Sequence, residues 1–354
     1  MASSRALRAA IIGCGRMAGT IDDEVRDYPG MLFPYGHAGA YQLADGVELV
    51  AAADLDAPRL QAFCDRFEIP QRFADAGEML AAVAPDIVSI TTPATARAKL
   101  LQLVAQKGVK GVYAEKALAC SLAEARSAAA ALAERGVAFN IGTSRRYGPG
   151  YRAARALIER GEIGEVHTAI AYTPGNLMHT HSHTIDTLLY LLGDPEVEEV
   201  QARLNTPVEQ VVDGRFPGDP NIAWAQIRCA GGAQAVIQSV PGRYEFELIG
   251  RSGAILAYNN GYTATWQLRR PSGRQGGRDF WAAEPFPSVD ESMSATLRAV
   301  SELVAAVRHG EGTSGNIGVA LRQMEVSSAI AHSHVLGGQA VSVPSPVDYY
   351  IPSR

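Results

Sequence analysis

The stretch Arg8-Ala-Ala-Ile-Ile-Gly-Cys-Gly-Arg-Met-Ala-Gly19 constrains the chain more than any other. A short apolar run, Ala9 to Ile12, leads directly into Gly13-Cys14-Gly15-Arg16-Met17-Ala18, a G-x-G-x-x-A pattern. The run reads as a buried strand. Gly13 suits a turn too tight for a Cβ, Gly15 leaves room for a pyrophosphate to touch backbone, and Ala18 is small enough for the next segment to pack on the strand. Backbone N–H groups at such a turn face phosphate oxygens, aided by a helix N-terminus. Gly-rich turns are common, so the pattern needs support from elsewhere in the chain.

That support comes from Val47-Glu-Leu-Val-Ala-Ala-Ala-Asp54, a second strand ending in an acid. In a dinucleotide site a carboxylate here bonds the adenosine ribose hydroxyls and repels a 2′-phosphate. Asp54 therefore favours NAD over NADP, although nearby Arg59 could accommodate a phosphate. Asp54 could also be the N-cap of a helix over 57–67, and both roles could hold at once. Between Ala18 and Asp54 lie about 15 residues more than the spacing of roughly 20 requires. The surplus, Thr20 to Tyr35, either lies over the cofactor and narrows a cleft or is a surface excursion. A helix then begins at His37.

With 354 residues the chain is long enough for two domains. A net charge of −5 without a basic cluster gives no footprint for nucleic acid. Cys14, Cys64, Cys120 and Cys229 are scattered without C-x-x-C spacing, which argues against a zinc site or a disulfide framework. No apolar run approaches the roughly 20 residues of a membrane span, and residues 1–8 lack the apolar core of a signal peptide. A cytoplasmic location is expected.

Further strands are expected at 86–93, 111–116 and 137–142, separated by helices at 76–84, 94–107 and 122–135. Ser121-Leu-Ala-Glu124 opens the last of these as a capping box. Strands alternating with helices predict a parallel, doubly wound sheet. After a boundary near Arg145-Arg146-Tyr147 the pattern changes. A helix over 151–160, a strand over 165–173 and a helix over 183–192 precede strands at 196–205, 222–229, 234–240, 244–249, 254–258 and 264–269. Runs of strands without intervening helices indicate a largely antiparallel sheet. Residues 207–220 and 271–287, the latter with Gly273, Gly276 and Gly277, read as loops. Helices follow at 292–308 and 317–334. The expected architecture is an α/β Rossmann domain over 1–145 and an α+β domain with an open, mostly antiparallel sheet over 146–354.

These residues resemble the glucose–fructose oxidoreductase and inositol dehydrogenase (Gfo/Idh/MocA) family along nearly the whole chain. The resemblance lies in Gly13-Cys-Gly-Arg-Met-Ala18, Asp54, Thr92-Pro93, Glu115-Lys116-Ala117 where the family usually has Glu-Lys-Pro, Arg145-Arg146-Tyr147, Gly161-Glu-Ile-Gly164 and His183-Thr-Ile-Asp186. It implies an NAD(P)-dependent oxidoreductase of sugars, inositols or related polyols, forming a homodimer or homotetramer through the C-terminal sheet. Cofactor contacts are expected from Gly13, Cys14, Gly15, Arg16, Met17, Asp54, Thr92, Pro93, Glu115, Lys116 and Arg145. The family's catalytic set resembles the Lys of Glu-Lys-Pro, an Asp, and a His four residues beyond it. Position 179 here holds His in place of that Asp.

Lys116 would end a strand on the carboxyl edge of the sheet, where ligands bind in such folds. Burial beside an oxidised nicotinamide would lower its pKa and allow acid–base work; a lysine simply reaching water is the bland alternative. His179-Thr-His-Ser-His183 in extended form would line up three imidazoles as in a metal site, whereas a helix would put His179 and His183 on one face. The resemblance favours the helix, with Lys116, His183 and His179 catalytic and no metal. Asp186 would fix the His183 tautomer or cap the helix, and capping is the favoured reading. Arg146, Tyr172 and Asn176 are further substrate-pocket candidates, Arg146 being equally suited to a salt bridge at the domain boundary. Trp224, Trp266 and Trp281 suit sheet packing. Besides a dehydrogenase, an NAD-recycling glycosidase or lyase of the same fold and a non-catalytic NAD sensor are consistent with the sequence.

Overall fold

The computed structural model describes residues 5–261, 266–275 and 278–353. It divides into two compact units, Met1–Tyr147 with Ser292–Leu321 and Ser353–Arg354, and Gly148–Glu291 with Arg322–Pro352. The second half of the chain is thus shared: residues 292–321, assigned from sequence to the later domain, return to the first unit.

In the first unit β1 (Leu7–Ile12), β2 (Val47–Ala53), β3 (Gln71–Phe73), β4 (Ile87–Ile90), β5 (Gly111–Ala114) and β6 (Ala138–Ile141) form one parallel sheet in the order β3-β2-β1-β4-β5-β6. The order reverses at β1, so the glycine turn leaves the sheet at its switch point. β1, β4 and β5 read as continuous apolar runs because helices cover both faces. The connecting helices are α1 (Ile21–Glu24), α2 (His37–Leu43), α3 (Ala57–Arg66), α4 (Ala76–Val83), α5 (Ala94–Gln106) and α6 (Leu122–Glu134). Their starts are fixed by side chains: Asp56 accepts from the Arg59 N–H, Asp75 from the Glu78 N–H and Ser121 Oγ from the Glu124 N–H. The cap of α3 is therefore Asp56 rather than Asp54, which leaves Asp54 for other work.

The second unit opens with α7 (Pro149–Glu159), β7 (Val166–Tyr172) and α8 (His181–Leu192), so α8 starts two residues earlier than expected. β8 (Val197–Leu204), β9 (Ile222–Cys229), β10 (Gln234–Gln238), β11 (Glu245–Gly250), β12 (Gly253–Ala257), β13 (Trp266–Gln275) and β14 (Arg278–Pro285) follow. With β15 (Val341–Ser342) they make a nine-stranded sheet ordered β14-β13-β12-β11-β7-β10-β9-β8-β15. β10 pairs with β7 in parallel and the other neighbouring strands pair antiparallel. The expected loop over 271–287 is instead largely the β13–β14 hairpin, while Gly276, Gly277 and residues 264–265 of an expected strand lie outside the described residues.

α9 (Ala295–His309) lies against β5, β6 and α2 in the first unit, and Asn140 holds it by donating to the Ala299 carbonyl at 2.8 Å. α10 (Ile317–Val335) carries the chain from the first unit into the second. Among the described residues no helix is long and apolar enough to cross a membrane.

Candidate active site

The glycine turn has the geometry its residues suggest. Gly13 takes φ +93°, and a Cβ there would stand 2.9 Å from the Thr92 side chain. Only glycine combines that torsion with that approach at little cost. A Cβ on Gly15, by contrast, would meet nothing within 4 Å, so space lies open over the turn. Cys14 is buried, and burial followed by the charge of Asp54 drives its thiol well above the ordinary range, so it is no nucleophile. Arg16 is exposed and pairs with Glu24 of α1 at 2.6 Å. The 20–35 segment thereby returns beside the turn. Asp22 Oδ1 accepts the N–H groups of Tyr35 and Gly36, and Thr296 donates to the Tyr35 carbonyl at 2.7 Å.

Asp54, just past β2, is the second part. Its Oδ2 accepts the Cys14 N–H at 2.7 Å and its Oδ1 accepts the Asp56 N–H at 2.8 Å, with the Arg59 guanidinium 3.6 Å away. Thr92 and Pro93 stand at the start of α5, next to Thr91, whose hydroxyl donates to the Gly13 carbonyl. An open cradle at Gly15 and an anion at Asp54 fit a dinucleotide, which Gly13, Cys14, Gly15, Met17 and Asp54 would hold.

Glu115 and Lys116 follow β5 at the carboxyl edge, and both are buried, at 4% and 9% exposure. The Lys116–Ala117 peptide is cis. Arg97 of α5, fully enclosed, donates to the carbonyls of Ala117 and Thr92, tying the segment after β5 to the segment after β4. Burial pushes its guanidinium down to about 10, with Glu115 acting against that shift. Burial would raise the Glu115 carboxyl, but the His37 hydrogen bond and the charges of His37, Lys116 and Arg97 outweigh it and hold it below its usual range. Sequence reading took His37 as an ordinary helix start. Its signal was a lone histidine immediately after the inserted segment.

In the second unit His179 is exposed and precedes α8, whereas His181 and His183 lie within it, so the extended row of imidazoles does not form. Among the described residues no group of three or more His, Cys, Asp or Glu is placed to hold a metal ion. Asp219 accepts the N–H groups of Met178 and His179 at 2.8 Å each, and Asn176 donates to the Asp219 carbonyl oxygen at 2.9 Å. Asp219 therefore fixes the entry to α8, a role nothing in the sequence signalled. Asn176 accepts the N–H groups of Thr180 and His181, which makes it a local brace. Asp186 is no cap: it lies inside α8, buried, and accepts from Gln323 at 2.9 Å.

Tyr172 packs under the Arg243 guanidinium, 4.8 Å from its ring centre. By strand alternation it faces away from the side on which Ala169 and Ala171 are fully buried. Arg146 is buried within the first unit and donates to the Ser314 carbonyl at 3.2 Å, while Arg145 beside it is partly exposed.

Residues 7–143 match the model of an oxidoreductase family with an NAD-binding Rossmann fold. Residues 7–143 are thus similar to the NAD-binding domain of the Gfo/Idh/MocA family. A D-apiose dehydrogenase of Paraburkholderia graminis is 34% identical over 146 residues, 41% of this chain and 34% of that protein. The match thus spans about a third of that relative's length. An uncharacterised oxidoreductase of Bacillus subtilis is 27% identical over 235 residues, 60% of this chain and 67% of the relative. Among solved structures, a levoglucosan dehydrogenase in complex with NADH and levoglucosan superposes with a TM-score of 0.74 at 17% identity, covering 96% of this chain and 100% of that one. An aldose-aldose oxidoreductase from Caulobacter crescentus, complexed with glycerol, superposes at 0.75 and 20% identity with the same coverage. At those identities the superpositions show a shared fold.

Proposed function

We propose that the chain is an NAD-dependent oxidoreductase that transfers hydride between the nicotinamide and a secondary alcohol or ketone of a sugar, inositol or related polyol. One observation carries this reading: a buried lysine, Lys116, follows β5, the strand two places from β1, in a sheet whose switch point holds an open glycine cradle and a fixed carboxylate. When bound, NAD supplies the hydride acceptor or donor. Asp54 bonds the ribose hydroxyls and disfavours a 2′-phosphate. Lys116 takes the hydroxyl proton in oxidation and returns it in reduction. His183 hydrogen-bonds the reacting oxygen and assists proton transfer, and His179 stands where the family has an acid. The sugar-processing names of the apiose, levoglucosan and aldose relatives support a carbohydrate substrate.

The open sheet supports a homodimer or homotetramer. One face of its central strands is fully buried, whereas the other carries half-exposed Ile170, Val236, Trp224 and Ile249. Light scattering gives the subunit number.

The experiment is a screen of sugars, inositols and related polyols with NAD and NADP separately. The expected result is steady accumulation of NADH with one of them. Substrate consumed without net NADH would instead indicate an NAD-recycling lyase or glycosidase, and NADH binding with no turnover of any kind a sensor.

A further inference from the structure

Around Glu115 the first unit buries a run of polar side chains that strand packing does not require. His37 at the start of α2 is completely buried, its ring stacked on Tyr113 with centroids 4.1 Å apart. His37 Nδ1 lies 2.9 Å from Ser89 Oγ, and its Nε2 lies 3.3 Å from Glu115 Oε1. Ser89 Oγ in turn lies 2.9 Å from the Tyr41 hydroxyl. The other carboxylate oxygen, Oε2, accepts the Lys116 backbone N–H at 3.3 Å.

The donor and acceptor inventory gives this chain a direction. A Glu115 carboxylate only accepts, so His37 donates from Nε2. A neutral ring then accepts at Nδ1, the Ser89 hydroxyl donates to it, and the Tyr41 hydroxyl donates to Ser89. With the ring in that form each link of the chain is satisfied. The charged and titratable groups acting on Glu115 are His37 of α2, Lys116 and Arg97; Tyr113 of β5, which in turn feels Tyr41 and Tyr35, lies beside it. Of the cations, Arg97 is committed to two backbone carbonyls. On the remaining side a Cβ at position 142 would stand 2.7 Å from Oε1, so Gly142 is what admits the carboxylate.

We propose that Glu115, oriented by the Tyr41–Ser89–His37 chain, is a positioning residue for Lys116: it holds a fixed negative charge against the lysine and so sets the pH at which the amine releases its proton. Burial alone favours the neutral amine, whereas an adjacent carboxylate favours the ammonium. Because His37, a side chain of the fold itself, donates to Glu115, the carboxylate is held in place by the protein. This role rests on Lys116 being the proton-transfer group.

The test is direct, because the chain has just four lysines, Lys99, Lys107, Lys110 and Lys116. In full-length protein labelled at lysine 13Cε, each amine titrates separately by NMR, with Lys116 assigned from Lys116→Arg. Glu115→Gln is expected to lower the proton affinity of the Lys116 amine about tenfold or more. It should also move the acid limb of the oxidation rate toward lower pH. His37→Phe, which removes the donor, is expected to shift Lys116 in the same direction, and His37→Gln, which keeps a side-chain N–H, to restore it. An unmoved Lys116 titration in folded Glu115→Gln overturns the proposal; if that variant does not fold, an unmoved titration in His37→Phe does so. The titration needs neither substrate nor cofactor. A shifted lysine in a protein without dehydrogenase activity upholds the pair and sinks the reaction, while activity with an unshifted lysine does the reverse.

Discussion

Asp54 accepts the backbone N–H of Cys14 at 2.7 Å, so the acid that ends β2 and the turn that ends β1 are one rigid piece. The same hydrogen bond that stiffens the turn points a charged group at the place where ribose hydroxyls are expected. Asp54→Asn keeps the size and removes the charge. Its expected effect is about a tenfold loss of NADH affinity, the worth of one charge-assisted hydrogen bond, and a relative gain for NADPH. Fluorescence titration with both nucleotides checks this, and an unchanged ratio of affinities would contradict it.

The two glycines of the turn separate stability from binding. Gly15 is extended, with open space above it, so Gly15→Val should leave the melting temperature near that of the parent and abolish NADH binding. Gly13→Ala should instead destabilise by about 1–3 kcal/mol, since a Cβ must adopt φ +93° against Thr92. Thermal melts with and without NADH distinguish the two outcomes.

Acid stability of the first unit depends on Asp86. Burial opposes its charge, but Lys110 at 2.8 Å and the Arg8 N–H at 3.0 Å, with Arg5 nearby, lower its pKa below the usual carboxylate value. A folded-state value below the unfolded one contributes stability above the unfolded pKa, lost as pH falls through the folded pKa. Urea unfolding from about pH 6 down to pH 3 should therefore show a falling free energy whose slope is shallower in Asp86→Asn.

Much of this was legible in the sequence because periodicity and turn chemistry act locally. The apolar runs of β1, β4 and β5, the acid after β2 and the Ser121 cap each announce themselves within a few residues. β3 does not: Gln71-Arg-Phe73 has no apolar run and is a strand because β2 offers it a partner. The β13–β14 hairpin was hidden by Pro271 and Gly273. Pro271 is tolerated because β12 pairs with β13 only over 266–269, leaving an edge beyond. Asp54 could not be separated from a helix cap until Asp56 took that role. His37 and Asp219 were invisible for a different reason, since their partners lie dozens of residues away.

Asp219 offers a test within the second unit. It holds two backbone N–H groups ahead of α8, so Asp219→Ala should loosen the approach to His183. The expected result is about a tenfold lower kcat with NADH affinity unchanged. Equal losses in both would place its effect on folding instead.

The most direct measurement is a single turnover by the wild-type protein and by Lys116→Ala, each mixed with saturating NAD and the best substrate from the screen. The expected result is equal nucleotide affinity in both and NADH formation at least about 100-fold slower in the variant. Full-rate NADH formation by Lys116→Ala, or failure of the wild-type protein to bind NADH, would contradict the account.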